Sequence, residues 1–156
     1  MNLLSKVSGA VLVLGLLYSV ANAQEKKMTR KQLPPAVEKT VAKEESEGAT
    51  VKGFATEVEK GQRLYEAELI VNEHHKDISI NRQGVIVEVE EEVSMDSLPT
   101  TVQDALRQGA GSGTIGTVES LTKHGKLVAY EAQVKRGAKH SEIQVGPQGE
   151  KLKRSE

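Results

Sequence analysis

Residues 64–84 read LYEAELIVNEHHKDISINRQG, and their period decides the fold. Tyr65, Ala67, Leu69 and Val71 alternate with Leu64, Glu66, Glu68 and Ile70. One face of such a segment is apolar and the other largely polar, which predicts a β-strand. A polar stretch holding His74 and His75 follows; Ile78 and Ile80 then resume the alternation. The stretch therefore predicts a hairpin with Tyr65, Ala67, Leu69, Ile78 and Ile80 toward the core and the histidines at its turn. Beyond Gln83-Gly84 the period continues in Val85, Val87 and Val89, a possible further strand.

The same grammar returns 65 residues later. Tyr65-Glu66-Ala67 falls on Tyr130-Glu131-Ala132, His75 on His140, Ile78 on Ile143 and Gln83-Gly84 on Gln148-Gly149. In the same register Leu33-Pro34 meets Leu98-Pro99, Val37 meets Val102 and Gly48 meets Gly113. So many identities without a gap point to two copies of one unit. Each copy opens with apolar residues four apart, Leu33, Val37 and Val41 or Leu98, Val102 and Leu106, the spacing of one helix face. Pro34 suits a first helical turn, and Asp96 and Ser97 are candidate caps for the second helix. A further strand is expected in each copy, around residues 51–58 and 115–121, ending at the turns Lys60-Gly61 and His124-Gly125.

The expected fold is α+β: two tandem repeats of a helix plus an antiparallel sheet, α-β-β-β with room for a fourth strand. Short turns favour antiparallel meanders, and each helix should cover one face of its sheet. The expected boundaries are 1–23 for a signal peptide, 24–32 for a disordered basic lead, 33–93 for the first repeat and 94–156 for the second. Arg136, standing where the first copy has Val71, should make the second copy's strand leave the core sooner.

MNLLSKVSGAVLVLGLLYSVANA pairs one lysine with an apolar run and a small-x-small ending, the form of a cleaved secretory signal. The run is short for a membrane span and is broken by Ser19 and Asn22. A periplasmic or secreted protein with no stable membrane insertion after cleavage is expected. Cleavage after Ala23 leaves 20 Lys and Arg against 22 Asp and Glu, a net charge of −2. That balance, with only 3% aromatic residues, argues against nucleic-acid binding. Without cysteine the chain has neither disulfides nor thiolate chemistry.

A Leu-Pro opening with a short helix, an alternating strand around Tyr-Glu-Ala, a polar turn, another alternating strand and a glycine turn resembles the PepSY domain. The likeness is to the tandem PepSY-like group related to β-lactamase-inhibitor proteins, and it spans residues 32–152. It implies exported, non-catalytic α+β domains, some of which inhibit or regulate peptidases. One departure is Gln83 and Gln148 before the turn glycines, where members often have Asp or Asn.

Chemical motifs are few. His74, His75 and His140 with nearby acids suggest a metal site, but neighbouring strand residues face opposite ways, so a solvated hairpin tip accounts for them more simply. Gly111-Ser112-Gly113-Thr114-Ile115-Gly116 fits a dinucleotide fingerprint in the wrong place, after a helix and before a strand. The acidic run Glu88 to Glu92 reads as a solvated edge strand. No G-x-S-x-G elbow occurs, so no enzyme and no cofactor are expected. What remains is the polar sheet face, with Glu66, Glu68, Asp77, Glu131 and Glu142 as candidate partner-binding residues. The expected function is an exported binding module for a protein or peptide, with inhibition or regulation of an envelope enzyme as one form of that engagement. The alternative is periplasmic cation binding or buffering by the turn histidines and sheet acids.

Overall fold

The computed structural model describes residues 25–152. The expected signal peptide lies outside these residues, as do the last four of the chain. Ten elements follow in order: β1 (Lys26–Lys27), α1 (Pro35–Ser46), β2 (Thr50–Glu59), β3 (Gln62–Val71), β4 (His74–Asn81), β5 (Ile86–Glu92), α2 (Thr100–Ala110), β6 (Thr114–Lys123), β7 (Lys126–Arg136) and β8 (Lys139–Val145). A 3-10 turn precedes each helix, at Arg30–Gln32 and Met95–Ser97. The strands form one eight-stranded antiparallel sheet in sequence order, β1 to β8.

Local chemistry explains the helix limits. α1 has a proline in its first turn and ends in a left-handed Gly48, whose amide bonds Glu45 while Ala49 bonds Glu44. α2 stops at Gly111, φ 58°. Asp96 and Ser97 are not its caps: they lie in the preceding 3-10 turn, and Pro99 is the residue at the helix entrance. The glycine-rich run is the connection from α2 into β6, as its order suggested.

Lys60-Gly61, Asn72-Glu73 and His124-Gly125 each have positive φ at both positions, the mark of two-residue type I′ hairpins. Tight turns fix the register, and register fixes the faces. Leu69, Lys76, Glu91, Ser120, Tyr130 and Val145 form one continuous cross-strand row. Leu69 belongs to the cluster that packs Leu33, Val37 and Val41 against Tyr65, Ala67, Ile78 and Ile80. Tyr130 and Val145 belong to the cluster around Leu98, Val102, Leu106, Val118 and Ala132. Both helices therefore cover the same face.

Two expectations change. The acidic run is no edge: β5 is interior, because it pairs β4 on one side and β6 on the other. The expected basic lead is not disordered where it is described, since Lys26 and Lys27 pair with Thr56 and Ala55. Beyond them Arg30 bridges Glu38 at 2.8 Å and Glu45 at 2.6 Å. As expected, β7 leaves the core sooner than β3: Lys135 and Arg136 are exposed where Val71 is half-buried against the first cluster, and the Arg136 guanidinium donates to the carbonyls of Gly109 and Ala110 at the end of α2.

The turns after β4 and β8 match in detail. Asn81 N–H bonds the Val85 carbonyl and Gly84 N–H that of Asn81; 65 residues on, Gly146 bonds Glu150 and Gly149 bonds Gly146. A Cβ on Gly84 would lie 2.5 Å from the Ala36 carbonyl oxygen, and one on Gly149 would meet that of Thr101.

Candidate functional site

The face away from the helices follows from the same register. One row crosses it through Gly53, Glu68, Asp77, Glu90, Leu121 and Ala129. A second runs Ala55, Glu66, Ser79, Glu88, Lys123 and Lys126. Glu92, Glu119, Glu131 and Gln144 align in a third. Carboxylates thus stand directly opposite one another at Glu68–Asp77, Asp77–Glu90, Glu92–Glu119 and Glu119–Glu131, an arrangement that costs stability through like-charge repulsion.

Burial sharpens the repulsion. Ala55, Leu64, Leu121 and Ala129 are buried on this face yet belong to neither helix-covered cluster. Beside such apolar surface a carboxylate loses hydration, and its proton is held more tightly. Desolvation and then Asp77 push Glu66 up to about 8. Desolvation and then Glu68 raise Asp77 to about 6, with His75 opposing. Glu90, in the middle of the face, rises to about 9 through desolvation, Glu131 and Glu88. Glu57 and Glu119 are raised for the same first reason. At the margin, Glu142 is raised by desolvation and by a hydrogen bond with Glu131, which also accepts from the Gln144 amide. Compensation comes chiefly from Lys123, 3.2 Å from Glu88.

All five candidate partner-binding residues lie on this face, Glu66, Glu68 and Asp77 on β3 and β4, Glu131 and Glu142 on β7 and β8. Glu57, Glu88, Glu90 and Glu119 join them and were missed. The alternation of Glu88 and Glu90 about Val89 was the available signal, obscured by placing β5 at an edge. The depression bounded by Glu57, Glu66, Asp77, Ser79, Glu88 and Glu90 has a volume of about 20 Å³. That is room for about one water, far below the ~300 Å³ of a small-molecule pocket. This face can meet another surface; it does not enclose a ligand.

The histidines do not converge. His74 and His75 open β4 and His140 lies on β8, with three strands between, roughly 19 Å at the usual strand spacing. His74 is 4.0 Å from Glu92, and the His75 amide donates to the same carboxylate. Among the described residues no group of three or more His, Asp or Glu has a metal-holding arrangement.

The fold recurs among solved structures. A protein from Bacteroides eggerthii, provisionally assigned to the periplasm, is similar with a TM-score of 0.61 and 19% identity over 76% of this chain and 84% of that one. A DUF2874 family protein from Bacteroides ovatus gives 0.59 and 23%, covering 78% and 85%. A BLIP-like protein from Bacteroides fragilis gives 0.54 and 19%, covering 75% and 81%. These likenesses establish the fold. No protein-family model matches the sequence, and no curated protein matches it.

Proposed function

We propose that the protein is an exported, non-catalytic binding module whose carboxylate-lined sheet face engages a protein or peptide with a basic contact surface. One observation carries the reading: carboxylates from seven neighbouring strands share one face, and on the five strands β3 to β7 they stand in directly opposed pairs, although that placement costs stability. A cationic partner would relieve that cost and be steered to the face by its potential. The sequence has no G-x-S-x-G elbow, and the depression between Glu57, Glu66, Asp77, Glu88 and Glu90 is of single-water size, which favours binding over catalysis.

Two further parts of the proposal have their own support. The chain is read as two copies of one unit, and this rests on the 65-residue offset that relates helices, turn bonds and glycine contacts alike. Export is supported by the signal-like first 23 residues and by the provisional periplasmic assignment of the B. eggerthii protein. Among the described residues no helix is long and apolar enough to cross a membrane. The BLIP-like neighbour favours restraint of an envelope enzyme as the form of engagement.

The test is affinity capture from an envelope fraction with the wild-type protein and a Glu66→Lys, Glu68→Lys, Glu131→Lys variant. A captured partner should bind the purified wild-type protein, weaken with rising salt and lose about tenfold or more in affinity for the variant. Identical partners at identical affinity would defeat the reading.

A further inference from the structure

The sheet contains its own example of a strand being accepted at the β4 edge. β5 lies antiparallel on β4 with Lys76 opposite Glu91, Asp77 opposite Glu90, Ile78 opposite Val89 and Ile80 opposite Ile86. β8 is the counterpart of β4 at an offset of 65, from the turn that follows it to the first bridge: Val145 meets Lys151 as Ile80 meets Ile86. Past that bridge the parallel ends. Among the described residues no strand lies outside residues 139–143 of β8, although residues 76–78 of β4, which match 141–143, are covered by β5. These β8 residues are largely exposed, and only Ile143 is half-buried.

Charge indicates what such an edge would take. On β4 the Glu92 carboxylate accepts from the His75 amide and lies 4.0 Å from His74. On β8 those places are held by His140 and Lys139, and Lys135 and Arg136 stand opposite them on β7. The β8 edge is therefore the more cationic of the two at that end, while its other end, Ile143, asks for an aliphatic neighbour as Ile78 asks for Val89. Glu142 is the one carboxylate along it.

The geometry points to the outer edge of β8 as a strand-addition site for an extended peptide of alternating aliphatic and acidic residues, bound antiparallel in the manner of β5 on β4. Main-chain hydrogen bonds would supply the attachment and the Lys139-His140 end the register. This edge is distinct from the carboxylate face and does not depend on it.

The probe is a capped peptide of the β5 sequence, IVEVEEE, titrated into the whole protein while amide spectra and hydrogen exchange are recorded. The expected result is slowed exchange and shifted resonances for residues 139–143, with β4 unchanged. Binding should be lost when alternate peptide nitrogens are methylated and weakened when Lys139 and His140 are both changed to Glu. Unperturbed β8 amides, perturbation of the β2 edge instead, or equal binding by the methylated peptide would each overturn the site. If binding appears only after residues 153–156 are removed, the chain's own end is the occupant and the partner is refuted.

Discussion

Gly84 and Gly149 show how much one side chain can decide. Each has positive φ, and each lies so near a helix carbonyl that a Cβ would intrude. Gly84→Ala or Gly149→Ala should therefore cost about 2–4 kcal/mol in urea unfolding, combining left-handed strain with overpacking. Glu73 presents the reverse case. It occupies the second position of a type I′ turn at φ 70°, where glycine is favoured. Glu73→Gly should raise stability by about 0.5–1 kcal/mol, visible as a melting temperature higher by a few degrees. The glycines were legible as turns because Gln-Gly interrupts two alternating runs. Their contact with the helix was not, since it joins residues nearly 50 positions apart and depends on how the helix lies on the sheet.

Elements were legible where period was unbroken, in α1, α2, β3 and β4. β5 was recognised as a strand but given the wrong neighbours. Its partner β6 lies beyond α2, and alternation states which face a residue occupies without naming the strand alongside. Arg136 was legible in part. A charge at the end of an apolar face suggested departure from the core, and Arg136 is exposed; alternation could not state that its side chain reaches across to close α2. Glu44 and Lys76 make the comparable tie in the first half, a 2.8 Å ion pair between α1 and β4; the second half has Gly109 and Ser141 at those places and uses Arg136 instead. Arg136→Ala should lower stability by about 1–2 kcal/mol through the lost charge-assisted bonds. Faster hydrogen exchange at the end of α2, with α1 unchanged, would assign the loss to that contact.

At the scale of the molecule, the joined sheet gathers acids that neither half would bring together alone. The candidates Glu66, Glu68, Asp77, Glu131 and Glu142 came from alternation, but their continuity through Glu90 and Glu119 depends on the β5–β6 junction. The junction also sets a pH dependence. A carboxyl whose folded pKa lies above its unfolded value contributes fully below the unfolded value and loses that contribution as pH rises through the folded one. Asp77 loses it between 3.8 and about 6, Glu66 between 4.5 and about 8, and Glu90 between 4.5 and about 9. Glu45, held low by Arg30, acts oppositely and weakens the fold below about 4.5. Stability should therefore peak near pH 5 and decline toward pH 9, measured by urea midpoints at constant slope. Glu90→Gln should flatten the alkaline limb, and a protein more stable at pH 9 than at pH 5 would contradict the account.

Strand order in space is strand order in sequence, a feature with a temporal meaning. Each new strand docks on the one made just before it, with the two helical connections the longest detours, so contacts stay local for a β-rich protein. A chain threaded through a pore with its amino end leading can assemble in that same order. No early strand must wait for a distant one, because each adds at the growing edge.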